Sequence, residues 1–128
     1  MPVYISWDSP ERDRVLFEFV GKWTGEEYFA ARAQGIAMSD TVSHVVNVIV
    51  DISASSLFPS NMLSHFGSSI DKNPKNFEIA VIVSTSTFVA ALTNVIAKLY
   101  AKRGMQFKVV RTLQAARAVF AAQKPQAA

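Results

Sequence analysis

The sequence predicts an α/β domain: a mixed, mostly parallel sheet of about five strands, in the order β-β-α-β-α-β-α-β-α, with helices packed on the sheet. Three observations carry this. Residues 45–51 (VVNVIVD) are almost uninterrupted in apolar β-branched character, with five Val or Ile in seven. A run with no solvent face reads as a central strand covered on both sides. A second such run, FEIAVIVS, follows at 77–84. Helix-period segments alternate with the strands, which calls for right-handed crossovers and parallel pairing.

The elements follow in order. Val3–Trp7 alternates weakly, as an edge strand does. Residues 8–13 (DSPERD) are turn chemistry, and residues 14–20 (RVLFEFV) form a strand with Val15, Phe17 and Phe19 on one face and Leu16 and Val20 on the other. Two strands joined by a short polar turn predict an antiparallel hairpin. Thr24-Gly25-Glu26-Glu27 has the Thr-x-x-Glu form of a capping box and starts a helix over about 25–38. Its inner stripe is Tyr28, Ala31 and Gly35, with Phe29, Arg32 and Ile36 beside it and Trp23 as an anchor. The central strand ends in a polar cluster, Asp51, Ser53, Ser55 and Ser56. Pro59 fits the first position of a helix over about 59–70, with Leu63, Phe66 and Ile70 on one face.

Asp71-Lys72-Asn73-Pro74 stops that helix, and the second buried strand follows. Ser86 or Thr87 caps a helix reaching about Arg103, with Val89, Leu92, Ile96 and Leu99 inward and Phe88 and Val95 beside them. Lys98, Lys102 and Arg103 sit at its C-terminal end, which favours cations, and Gly104 ends it. Residues 107–110 form a short strand. Thr112 caps a last helix with Leu113, Ala116 and Phe120 inward.

The 128 residues suit one domain, 1–128, with a frayed tail at 122–128. Half the residues are hydrophobic and 18% are charged, which excludes intrinsic disorder. The chain has no cysteine, so disulfides, thiolate zinc sites and cysteine nucleophiles are excluded. No basic stretch followed by an apolar one opens the sequence, and no apolar run approaches the ~20 residues of a membrane span, so a cytoplasmic protein is expected. All ten carboxylates lie at or before Glu78, with six Lys or Arg; seven Lys or Arg and no carboxylate follow. Such asymmetry marks a surface for an acidic partner, an anionic lipid or nucleic acid. Mutual packing of the two halves is the favoured account, and nucleic acid is not an expected partner.

The chain lacks Gly-rich phosphate loops, HExxH and GxSxG. His44 and His65 have no strong ligand at metal spacing, so no metal and no cofactor is expected. Ser60 or Ser64, His65 and Asp51 make a triad only on paper, as serines are abundant. Ser60 falls in the first turn behind Pro59, where amide donors and the helix dipole tolerate a phosphate. On spacing alone, satisfying the helix N-terminus is its more frequent role. Leu57, Phe58, Met62 and Leu63 surround it, as core or as an apolar patch for a partner or lipid.

The element order, with Asp51-Ile52-Ser53 closing the central strand and a serine opening the next helix, resembles the STAS domain. This is the fold of bacterial anti-sigma-factor antagonists and of the SpoIIAA-like superfamily. In that family a strand ending Asp-Leu-Ser is followed by Asp-Ser-Ser-Gly, whose first serine a partner kinase phosphorylates. Aligned without gaps, Pro59 stands at the second Asp, Ser60 at the phosphorylated serine, Asn61 at the next serine and Met62 at the glycine. The resemblance implies a divergent, non-enzymatic regulatory protein-binding module with an altered switch at Ser60. It implies a regulatory kinase or anti-sigma-like partner, with Asp51, Ser53, Ser56, Phe58, Asn61 and Met62 as contact candidates. The superfamily's likeness to Sec14-type domains implies the alternative, binding of a small lipid or apolar anion. An enzyme ranks last, with Asp51 as the sole carboxylate to nominate. Homodimerisation through Val3–Trp7 or the C-terminal helices is a further expectation.

Overall fold

The computed structural model of the chain describes residues 3–55, 77–100 and 106–123. The strands are β1 (Val3–Trp7), β2 (Arg14–Gly21), β3 (Val46–Ser55), β4 (Phe77–Val83) and β5 (Gln106–Val110). The helices are α1 (Gly25–Ser39), α2 (Thr87–Tyr100) and α3 (Leu113–Gln123). The expected helix at 59–70, with His65, lies outside the described residues. The strands form one sheet in the order β1-β2-β3-β4-β5. β1 pairs antiparallel with β2, and the other three pairings are parallel. The apolar run at 46–50 therefore occupies the middle of the sheet, as its composition requires. Among the described residues no helix is long and apolar enough to cross a membrane.

Alternation along the strands sorts the core into two layers. One face collects Val15, Phe17 and Phe19 of β2, Val46, Val48 and Ile52 of β3 and Ala80 of β4; Tyr28 and Ala31 of α1 and Val89 of α2 cover it. The other collects Leu16, Ile49, Ile79, Val81 and Val83, covered by Ala116 and Phe120 of α3. Charged or polar substitution at Ile49, which is fully buried in the central strand, would strand a polar group between the layers.

Local chemistry sets the helix starts. Thr24 Oγ1 accepts from the Glu27 amide (3.2 Å) and Glu27 Oε1 accepts from the Thr24 amide (3.0 Å), so both halves of the capping box are made. Ser86 Oγ accepts from the Val89 amide (3.3 Å) at the start of α2, and Thr112 Oγ1 from the Ala115 amide (3.0 Å) at the start of α3. β2 ends at Gly21, whose φ of +64° lies in the left-handed region that glycine enters without steric cost.

Gly35 marks where α1 touches the sheet. A Cβ there would lie 2.6 Å from Phe17 Cζ and 3.0 Å from Ile5 Cδ1. Phe17 is buried in the core layer, so its ring must shift against its neighbours to make space. Gly35→Ala is therefore expected to lower stability by about 1–2 kcal/mol, overpacking exceeding the gain in helix propensity. Urea denaturation checks this; equal or higher stability would show that the helix shifts freely over β1 and β2.

Several expectations are corrected. Within the polar cluster that was expected to end it, β3 runs as strand as far as Ser55, and it begins at Val46 rather than Val45. Val45 precedes the strand and is exposed, and Val20, one residue before the end of β2, is exposed as well. Val95 is exposed too: six residues after Val89 it lies about 120° round the helix. The buried neighbour of Val89 is instead Thr93, whose hydroxyl donates to the Val89 carbonyl (2.8 Å). The order of the described strands runs straight through the sheet, so among them no reversal of order opens a crevice of the doubly wound kind.

Candidate functional site at the end of the central strand

What the carboxyl edge has instead is a step. Pairing of β3 with β4 ends at Asp51 opposite Val83, whereas pairing with β2 continues to Ser55 opposite Gly21. Within that extension Glu18 stands opposite Asp51 but Val20 stands opposite Ala54, so β3 carries one extra residue at Ile52–Ser53. This is a β-bulge, which leaves an amide off the ladder and re-aims the side chains beyond it. Asp51 Oδ1 takes up that amide, accepting from Ser53 N (3.0 Å) and from Ser53 Oγ (2.6 Å). The Asp51–Ser53 pair thus fixes the shape of the edge.

A parallel device sits at the other end of the strand. The β3–β4 register shifts between Val46 and Val48, and Asn47 Oδ1 accepts from the Ile79 amide there (3.1 Å). His44 Nε2 bonds the Arg12 carbonyl (2.9 Å), a role that ties the strand entry to the hairpin turn.

Beyond the bulge Ser53 and Ala54 are exposed, while Ser55 Oγ accepts from Trp23 Nε1 (2.8 Å). Trp23 belongs to an aromatic group: its ring lies 4.6 Å from Phe19 and 6.5 Å from Tyr28, and Phe29 lies 5.2 Å from Tyr28. The end of β3 is therefore anchored on the α1 side, with the side toward β4 left as the step. Beside it, Thr24, Gly25, Glu26 and Phe29 line a concavity of about 470 Å³. The capping box already occupies amides there and Glu26 and Glu27 stand in the first turn, so that helix end disfavours anions.

Of the residues picked out by sequence, Asp51 and Ser53 are brought together at this step. Ser56, Phe58, Ser60, Asn61 and Met62 lie outside the described residues. Sequence reasoning passed over Glu18, which stands opposite Asp51 across the parallel pair. The signal was present: Glu18 is the lone charge inside the apolar run at 15–20. Ser55 was noted only as part of the polar cluster, and its bond to Trp23 spans 32 residues.

The electrostatic centre of the described residues lies at the opposite end of the sheet. Asp8 accepts from Arg14 Nε (2.8 Å) and from Arg117 Nη2 (2.7 Å), with its side chain only 3% exposed. Burial pushes the Asp8 carboxyl up, but hydrogen bonds and charge from Arg117 and Arg14 outweigh it and hold it below the ordinary value. In return the hydrogen-bonded Asp8 carboxylate pushes the Arg117 guanidinium up, and the charge of Glu18 adds to this. One cation of the acid-free C-terminal segment is thus met by an N-terminal acid, while Lys98, Lys108 and Arg111 stay exposed. Among the described residues no group of three or more His, Asp or Glu is placed to hold a metal, and every buried side-chain N or O has a partner.

The chain, an antiparallel hairpin followed by parallel strands with described helices on both faces of the sheet, has a SpoIIAA-like fold. Its likeness to a solved structure runs nearly end to end. An uncharacterised protein of the DUF3478 family with a SpoIIAA-like fold, from Shewanella loihica PV-4, superposes at a TM-score of 0.68 with 18% identity, over 91% of this chain and 92% of that one. No family model matches the chain, and no curated protein does.

Proposed function

We propose that this protein is a non-enzymatic regulatory module that binds a protein partner at the carboxyl edge, where β3 outruns β4. The supporting observation is the bulged end of the central strand, shaped by the Asp51–Ser53 pair and lacking a strand neighbour on its β4 side among the described residues. A bulge at the end of a central strand re-aims side chains toward solvent, and loops held by such a scaffold are where binding residues gather. The chain continues from this edge toward Ser60, five residues past Ser55. A phosphoryl group there, within five residues of the strand end in sequence, would add about two negative charges and act as the switch.

The test is affinity capture of partners by wild type, Ser60→Ala and Ser60→Glu, followed by titration of the captured partner. A partner held by wild type and Ser60→Ala should bind Ser60→Glu at least ~10-fold more weakly, about 1.4 kcal/mol. Equal binding by all three rejects the switch. Retention by Asp51→Ala, which frees the Ser53 amide, would reject docking at this edge.

A further inference from the structure

Among the described residues β1 is an outer strand of the sheet, with no strand paired to its second side. Natural edges are guarded by charges, prolines or bulges. β1, VYISW, contains no charged residue and no proline, and its register with β2 is unbroken from Val3 opposite Phe19 to Trp7 opposite Val15. The other outer strand, β5, presents exposed Gln106 and Lys108.

The hydrogen-bond phase of the free side follows from the hairpin. The Asp8 amide donates to the Arg14 carbonyl (2.8 Å), one step beyond the Trp7–Val15 pair. Bonded pairs alternate along an antiparallel ladder, so Ser6 and Tyr4 also bond inward to β2. The amides and carbonyls of Val3, Ile5 and Trp7 then point outward.

We propose that this edge joins two copies of the chain about a two-fold axis at Ile5, giving one sheet continuous through both. The strand is complementary to itself in that register. Val3 meets Trp7 of the second copy, and Ile5 meets its own equivalent. All three outward residues then form bonded pairs, about six main-chain hydrogen bonds across the axis. On the α1 face every cross-strand pair is apolar. On the other face Tyr4, 52% exposed, lies against Ser6 of the copy. No like charges oppose each other.

The helices fit as well. Gly35 sits over Phe17 of β2 and Ile5 of β1, which places α1 above the seam between those strands. With strands about 4.8 Å apart, the two α1 axes fall about 10 Å from each other across the axis, a normal packing distance.

Sedimentation equilibrium on the full chain at about 1–100 μM tests this, with far-UV circular dichroism as the folding control. Wild type is expected to form a reversible species of twice the 14.1 kDa chain mass. Tyr4→Lys with Ser6→Lys, both at exposed positions, sets cation against cation at each Tyr4–Ser6 contact and should weaken the dimer at least ~10-fold at low salt. Tyr4→Lys with Ser6→Glu sets opposite charges there and should keep it. A wild type of single-chain mass throughout overturns the proposal. So does equal dimerisation of all three proteins, or equal loss in both double variants.

Discussion

Phe120→Ala is expected to destabilise the fold by about 4 kcal/mol and to release α3 from the sheet. Phe120 is 4% exposed and packs with Ile49, Val81 and Val83 in the layer that α3 covers. Its ring also lies beneath the Arg14 guanidinium, 5.4 Å from centroid to Cζ, a contact of the cation–π kind. At 11 residues α3 is too short to be helical alone, so its structure depends on docking. Phe120→Leu keeps most of the apolar volume and loses the ring, so it should cost about 1–1.5 kcal/mol. Urea denaturation followed by circular dichroism separates the two. A loss below about 1 kcal/mol for Phe120→Ala would mean that α3 does not seal this face.

Asp8→Ala should cost about 2–3 kcal/mol at pH 7. The carboxylate is buried, and its removal leaves Arg14, with its side chain 14% exposed, holding only the Asp8 carbonyl at 3.3 Å. Arg117→Ala should cost under about 1 kcal/mol, because that guanidinium is 49% exposed and its pairing is screened by water and salt. The pH dependence has a definite sign. The folded-state carboxyl lies below its ordinary value. Its stabilisation is therefore fully present above about pH 4, where the unfolded carboxyl is ionised, and is lost as pH falls through the folded-state value. Wild type should lose its advantage over Asp8→Asn as denaturation is repeated from pH 7 toward pH 2. An advantage that stays constant over that interval would show that the ion pair contributes nothing in solution.

These outcomes bear on how the architecture could be read in advance. Local signals worked where the physics is local. Thr24 and Glu27 close a capping box because three residues of helix bring them together, and Ser86 and Thr112 cap for the same reason. The run at 46–50 lies at the sheet centre because no other place hides so many β-branched side chains. The candidate site was legible only in part. Asp51 and Ser53 stood out as a polar end to an apolar strand, yet the bulge that joins them follows from the β2–β3 register. Local periodicity carries no register. It likewise missed Val95, whose place depends on which face of α2 meets the sheet.

Among the described residues, composition, caps and apolar runs were enough to specify the kinds of element, their order and the buried centre, since each depends on neighbours within about one turn or one strand. Pairings between distant segments were settled only on assembly. Asp8 meets Arg117 across 109 residues, Trp23 meets Ser55 across 32, and Glu18 comes to face Asp51. Such contacts follow from strand registers and the path of α3, which depend on the whole packed core at once.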